Sequence, residues 1–253
     1  MYPKVIYYLI DTARDFSVAM KLSRGVVKAD ITIDHEKSNV VFIFHGGWES
    51  VYKEAYELFN RFNYKGSISV IPSLVGEVGY MTYEQLSEMY MKGWDLLNLS
   101  YSHKEDLYNK TDELLSDFNK ARKWMKNRYI GEQSNMAVIP YGEVNPYLIE
   151  KMKNNDYKSI MTSDNIIILD KDKIEYLHVS TISLFTNVTV DEVIKKLMPA
   201  LEEPKTIMFI LHKIGDGDDG FGMKYSRDKL EQILMFINQH KDKLQVITYS
   251  QLF

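Results

Sequence analysis

The alternation of apolar and polar positions organises the chain around one stretch. Val40-Val41-Phe42-Ile43-Phe44 is an unbroken apolar run of β-branched and aromatic residues that ends at His45-Gly46-Gly47. Such a run, closed by glycines, reads as a strand buried on both faces. Ser50 to Asn63 reads as an amphipathic helix. Strand, tight turn and helix is the repeating unit of α/β barrels and doubly wound sheets. In both, the chemistry collects where strands end.

That rhythm runs on to the C-terminus. Further strands are predicted over residues 67–71, 95–99, 136–140, 158–162, 206–211 and 245–248. Helices are predicted over 82–92, 111–129, 145–155, 189–201 and 226–240. Thr82-Tyr83-Glu84-Gln85 and Thr189-Val190-Asp191-Glu192 read as capping boxes, in which side chains satisfy the first free backbone N–H groups of a helix. Ahead of this pattern, residues 4–10 read as a strand, 13–27 as room for a short helix and 29–34 as an alternating edge strand. Residues 163–188 read as irregular, with short strand pieces at 166–169 and 176–179. Strands alternating with helices of ten or more residues predict a parallel sheet covered by helices. With about seven such units and no Gly-x-Gly-x-x-Gly loop, the expected fold is α/β: a single (β/α) barrel of distorted TIM type, with about seven parallel strands. No linker-like composition interrupts residues 1–253, so one domain is expected, with 1–38 as an N-terminal extension packed on the barrel.

Composition narrows the function classes. With 45% hydrophobic and 26% charged residues, the 253-residue chain can bury a large core. A net charge of −4 gives no electrostatic footprint for nucleic acid. The chain has no cysteine, which excludes disulfides, thiolate metal sites and a cysteine nucleophile. No stretch reaches the length of a membrane span, and no secretory leader is visible, so the default expectation is a cytoplasmic protein with no membrane partner.

The residues that follow the predicted strands are the candidates for chemistry: His45, Trp48, Glu49, Ser100, His103, Pro140, Tyr141, Gly142, Glu143, Ser163, Asp164 and His212. Three of the six histidines are among them. A histidine so placed can act as base, as acid or as a neutral metal ligand. The aromatic faces of Trp48, Tyr101 and Tyr141 suit sugar rings, although core or rim packing is the commoner use of any one aromatic. Gly215-Asp216-Gly217-Asp218-Asp219-Gly220 looks like a calcium loop, but the twelfth position is Arg227 where a bidentate Glu is required. Gly-x-Ser-x-Gly and His-Glu-x-x-His are both absent, which removes the common serine-hydrolase and zincin readings.

Taken together, these landmarks resemble the polysaccharide deacetylase family (carbohydrate esterase family 4) from about Ile31 to the C-terminus. The family's Thr-Phe-Asp-Asp-Gly motif corresponds to Ile43-Phe44-His45-Gly46-Gly47. Its His-Ser/Thr-x-x-x-His motif, in the form one residue shorter, corresponds to Leu99-Ser100-Tyr101-Ser102-His103, its Arg-x-Pro-Tyr-Gly turn to Val138-Ile139-Pro140-Tyr141-Gly142, and its late Leu-His to Leu211-His212. The resemblance implies hydrolysis of N- or O-acetyl groups on a polysaccharide. One Asp and two His would hold a divalent ion, usually zinc, a second Asp would be the base and the late His the acid. Residue by residue, the base position is His45, the metal-Asp position Gly46, the first metal-His position Leu99 and the second His103. The position of the Arg that steadies the base is Val138, and the acid is His212.

A catalytic zinc normally has three protein ligands plus water. Here two of the three positions have no ligating side chain. The expectation is therefore a deacetylase-like protein that acts on or binds an acetylated glycan, with metal-dependent activity lost or altered and no cofactor. Its catalytic-position residues are His45 and His212, its glycan contacts Trp48, Tyr141 and Leu211, and His103 is its one remaining metal position. One alternative is a working hydrolase of N-acetyl bonds that uses a rebuilt His45/His103/His212 site, with or without zinc in a non-standard arrangement. Another is a non-catalytic module of a larger assembly.

Overall fold

The computed structural model describes residues 33–107, 109–139, 144–162, 165–170, 173–217 and 219–253. The elements expected within residues 1–32 lie outside that set. The first strand, β1 (Ser38–His45), is the central one. It pairs in parallel with three others: β2 (Ser67–Val70) along its second half, β12 (Leu244–Ile247) along its first half, and β9 (Thr206–Leu211) along its other edge. Having neighbours on both edges and layers on both faces is what an all-apolar strand requires. Val40 to Phe44 are accordingly 0% exposed.

Beyond β2 follow β3 (Asp95–Asn98), β4 (Met136–Val138) and β5 (Ser159–Met161), all parallel. The region expected to be irregular, with strand pieces at 166–169 and 176–179, then completes the sheet, and both pieces are strands. β6 (Asn165–Leu169) and β7 (Ile174–His178) form an antiparallel meander on β5, and β8 (Ser180–Ser183) runs parallel to β9. Among the described residues the sheet has ten strands, eight of them in parallel pairing where about seven were expected, in the order β7-β6-β5-β4-β3-β2-β1-β9-β8, with β12 beside β1. β7 and β8 are the two ends of that order, yet only Val179 separates them in the chain. One residue cannot cross a flat sheet, so the sheet must curl until its edges meet, which closes the barrel.

Period-two alternation sorts the side chains. Val41, Ile43, Leu97, Leu99, Val138, Met161, Met208 and Ile210 form one buried cluster inside the curled sheet. Val40, Phe42, Phe44 and Phe209 face the other way, onto the surrounding helices. These helices are α1 (Val51–Tyr56, wound as a π-helix, continuing as α over Glu57–Arg61), α2 (Tyr83–Met91), α3 (Thr111–Asn127), α4 (Pro146–Lys153), α5 (Val190–Leu197), α6 (Pro199–Glu202) and α7 (Arg227–Gln239). Both capping boxes form as expected, at Thr82/Gln85 and Thr189/Glu192. Ser50 does not cap α1; its hydroxyl accepts the Ile214 N–H at 3.1 Å instead. That bond ties a small ribbon, β10 (Lys213–Ile214) with β11 (Lys224–Tyr225), to the start of α1.

The two ends of the barrel differ. At the N-terminal ends of the strands, Tyr249 is fully buried; its N–H donates to Ser67 Oγ (2.8 Å) and its hydroxyl to Ser159 Oγ (3.1 Å). Beside it, the Asp95 carboxylate accepts the Ser250 N–H (2.6 Å) and hydroxyl (2.9 Å). Ser67, Asp95 and Ser159 are the first residues of β2, β3 and β5, so this end is plugged. The opposite end is open. No helix among the described residues is long and apolar enough to cross a membrane.

Candidate functional site

The open end holds a cavity of about 590 Å³. Its walls come from the ends of the strands: Leu99, Val138, Met161 and Ile210 are apolar, while Thr181 and Ser183 of β8 bring hydroxyls. His45, His103 and His212 all line it. The three histidines expected to meet at a barrel mouth therefore do meet. Among the described lining residues there is no Asp, Glu, Lys or Arg.

His45 ends β1 in the inward phase set by Val41 and Ile43. The parallel register places it beside Ser69, and its Nδ1 lies 2.7 Å from the Ser69 hydroxyl, which is fully buried. With Nδ1 so engaged, Nε2 is the nitrogen left to a ligand. The His212 ring centroid is 5.5 Å from that of His45, and His212 stacks on Phe185 at 6.2 Å. Its Nδ1 is buried without a hydrogen-bond partner.

His103 is placed by a chain of polar contacts. Asn98, fully buried, donates to the carbonyls of Phe118 and Ser134 at 3.0 Å each and accepts the Ser100 N–H at 3.0 Å. Ser100 Oγ in turn accepts the His103 N–H at 3.1 Å. Ser100 (φ +60°) and His103 (φ +50°) both adopt the left-handed conformation, which side-chain-bearing residues tolerate only where neighbours over-determine it. Asp117 supplies more of that constraint by accepting the Ser102 N–H (2.8 Å) and hydroxyl (3.0 Å).

Burial sets the charge of the three imidazoles. Desolvation, with smaller repulsion from His212 and His103, pulls His45 down to about 3. Desolvation, then His103, pulls His212 down to about 4, and Asp219 opposes this only in part. His103 is also lowered by desolvation. All three are neutral at physiological pH.

The donor set does not fit the metal that the resemblance implies. Gly46 has no side chain, and Leu99 is an apolar wall residue, 3% exposed. Among the described residues no group of three or more His, Asp or Glu is arranged to hold an ion. The three imidazoles that the sequence offered as an alternative set line one cavity, with the His45 and His212 ring centroids 5.5 Å apart.

The other candidates divide. Trp48 lines the cavity and stacks on Tyr80 at 4.3 Å, with the Lys213 ammonium 4.4 Å from its ring centroid. Leu211 does not reach the cavity. It is fully buried in the layer under the helices, because strand alternation turns Ile210 inward and Leu211 outward. The glycan contact expected of Leu211 is thus not available to it. Glu49 pairs with Lys53 (2.9 Å) rather than lining the site, and Ser100 is a buried framework residue. Tyr141, with Pro140, Gly142, Glu143, Ser163 and Asp164, lies outside the described residues. Ser69, Tyr80, Thr181 and Phe185 were not on the list. Ser69 supports His45 from the adjacent strand and the other three line the cavity; each is brought there by cross-strand register or a distant loop, which sequence patterning does not carry.

Comparison with known proteins adds a second line of observation. A family model described as polysaccharide deacetylase matches residues 32–160, just over half of the 253 residues. A poly-beta-1,6-N-acetyl-D-glucosamine N-deacetylase of Staphylococcus aureus is 28% identical over 111 residues, covering 38% of this chain and 38% of that protein. The chain thus matches well under half of the length of these curated relatives. Among solved structures, a peptidoglycan deacetylase from Bacillus subtilis superposes with a TM-score of 0.57 at 17% identity, over 87% of this chain and 92% of that one. A CE4 family pseudoenzyme from Bacillus anthracis does so with a TM-score of 0.57 at 13% identity, over 87% of this chain and 66% of that one. At these identities the structural likeness establishes the fold.

Proposed function

Because the chain belongs to the polysaccharide deacetylase family, we propose that it binds an acetylated glycan across the open strand ends and has lost the family's metal-dependent hydrolysis. One observation supports the reading: the cavity persists while Gly46 and Leu99, where the family resemblance puts two of the three ligands, line it without a ligating side chain. A single remaining imidazole cannot hold a catalytic zinc. The lining supports an uncharged ligand. Neutral imidazoles and the hydroxyls of Thr181 and Ser183 can exchange hydrogen bonds with an acetamido group. The ammonium of a deacetylated sugar meets no carboxylate among the described lining residues and would be desolvated without compensation. Trp48 and Tyr80 offer aromatic surface to a sugar ring.

Calorimetric titration with N-acetylated chitooligosaccharides, in the presence of a chelator, tests this. The expected result is saturable binding, at least about tenfold weaker for the deacetylated counterparts, with no acetate released. Failure to bind any acetylated glycan, or acetate release that depends on added zinc, would contradict it.

The convergence of His45 and His212 favours a second reading, a metal-free hydrolase with His45 as base and His212 as acid. The lowered pKa values weigh against it. An imidazole near 3 is a weak base, and one near 4 carries no proton to give a leaving amine at neutral pH. Acetate release that survives chelation and falls about 100-fold or more in His45→Ala would support this reading.

A further inference from the structure

Gly46 stands at the family's metal-Asp position, and the space before it is already filled. An ideal Cβ at residue 46 would lie 2.9 Å from Trp48 Nε1, 3.4 Å from Cδ1 and 3.6 Å from Cε2. Real Cβ contacts are not that short, so any side chain at 46 requires the indole to move. The backbone there is also left-handed (φ +96°), a conformation that a residue with a Cβ adopts at a cost.

The indole is held from several sides. It stacks on Tyr80 with an interplanar angle of 23°. The flanking backbone is pinned by the Met81 N–H donating to the Gly47 carbonyl and the Glu49 N–H donating to the Gly79 carbonyl, both at 2.9 Å. The Lys213 ammonium sits over its ring. Lys213 is itself fixed by Asp219 at 3.0 Å, whose carboxylate also accepts the N–H groups of Phe221 and Met223 at 3.2 Å each.

We infer that Trp48 is a lock on the former metal corner: its indole occupies the volume that a ligating side chain at position 46 needs, so restoring the missing ligands alone does not create a metal site. This rests on the preceding reading in taking Gly46 and Leu99 as ligand positions. It goes further in assigning to Trp48, which is not at a ligand position, the part of excluding the ion.

Two measurements test the lock without a glycan or an activity. The first is zinc titration with elemental analysis of the variant His45→Asp/Gly46→Asp/Leu99→His, and of the same variant carrying Trp48→Ala. The lock requires zinc to bind at least about tenfold tighter once Trp48 is removed. Equal, stoichiometric zinc in both overturns it. The second holds even if the ligand variants fold poorly: a double-mutant cycle of Gly46→Ala and Trp48→Ala, read by thermal denaturation. The strain of a positive φ is common to both backgrounds and cancels in the cycle. The Gly46→Ala decrement in Tm should be clearly smaller when Trp48 is already Ala; equal decrements overturn the lock. Stoichiometric zinc on the unmodified protein is a separate outcome, which overturns the preceding reading and the lock together.

Discussion

His45 and Ser69 show how a single side-chain pair sets the properties of the mouth. Their 2.7 Å contact fixes the imidazole and leaves Nε2 to the cavity. Ser69→Ala should cost about 1 kcal/mol in urea denaturation and let the His45 ring signals broaden in NMR spectra; unchanged stability and line shape would argue against a fixed ring. The depressed imidazole pKa values have a consequence for stability. The native state keeps His45 and His212 neutral down to about 3 and 4, while the unfolded chain protonates them near the ordinary imidazole value of 6.5. Between those limits the unfolded state binds more protons, so this contribution is complete above pH 6.5 and is lost as pH falls toward 4. At pH 5 the loss should be roughly 1–2 kcal/mol per histidine. Urea denaturation at pH 7.5 and pH 5 measures it, and His45→Gln/His212→Gln should flatten the dependence. The three histidines were legible because each closely follows an apolar strand. Ser69 and Tyr80 were not, because sequence patterning carries no register between strands. Leu211 was misplaced for a related reason: a family motif marks positions, whereas strand alternation decides which of two neighbours faces in.

At the scale of elements, the sheet was read well where burial made it apolar and poorly where it did not. β8 is Ser180-Thr181-Ile182-Ser183, and only Ile182 faces the core, because its neighbours line a cavity. A strand that serves a polar site loses the hydrophobic signature by which strands are found. The strand pieces of β6 and β7 were read, but their antiparallel pairing on β5 was not: the connections there are too short to hold helices, so the βα rhythm stops without a break in composition. The β3–α3 loop makes the corresponding case for polar framework. Asn98 replaces backbone partners for Phe118, Ser134 and Ser100 at once. Asn98→Leu should destabilise by about 2–4 kcal/mol, by orphaning buried groups, and should displace the His103 resonances. A loss under 1 kcal/mol would mean that the loop is held by other contacts.

For the whole molecule, the barrel sets its buried plug and its open cavity at opposite ends of its axis. The Tyr249 plug closes the end where strands begin, and the cavity opens where they finish. Tyr249→Ala should cost about 3–5 kcal/mol yet leave the affinity of the folded protein for an acetylated oligosaccharide within a factor of two to three. At this scale the fold was the most legible feature, because the order and spacing of apolar strands suffice to specify it. The proposed loss of the family's metal-dependent chemistry turns on whether an ion can be held by the side chains at the mouth. Equilibrium titration of the purified, chelator-treated protein with zinc, read by elemental analysis after dialysis, addresses that without knowledge of the sugar. The expected result is well below one zinc per chain, with no change in thermal stability on zinc addition. One zinc per chain retained through dialysis, with a raised Tm, would contradict the account.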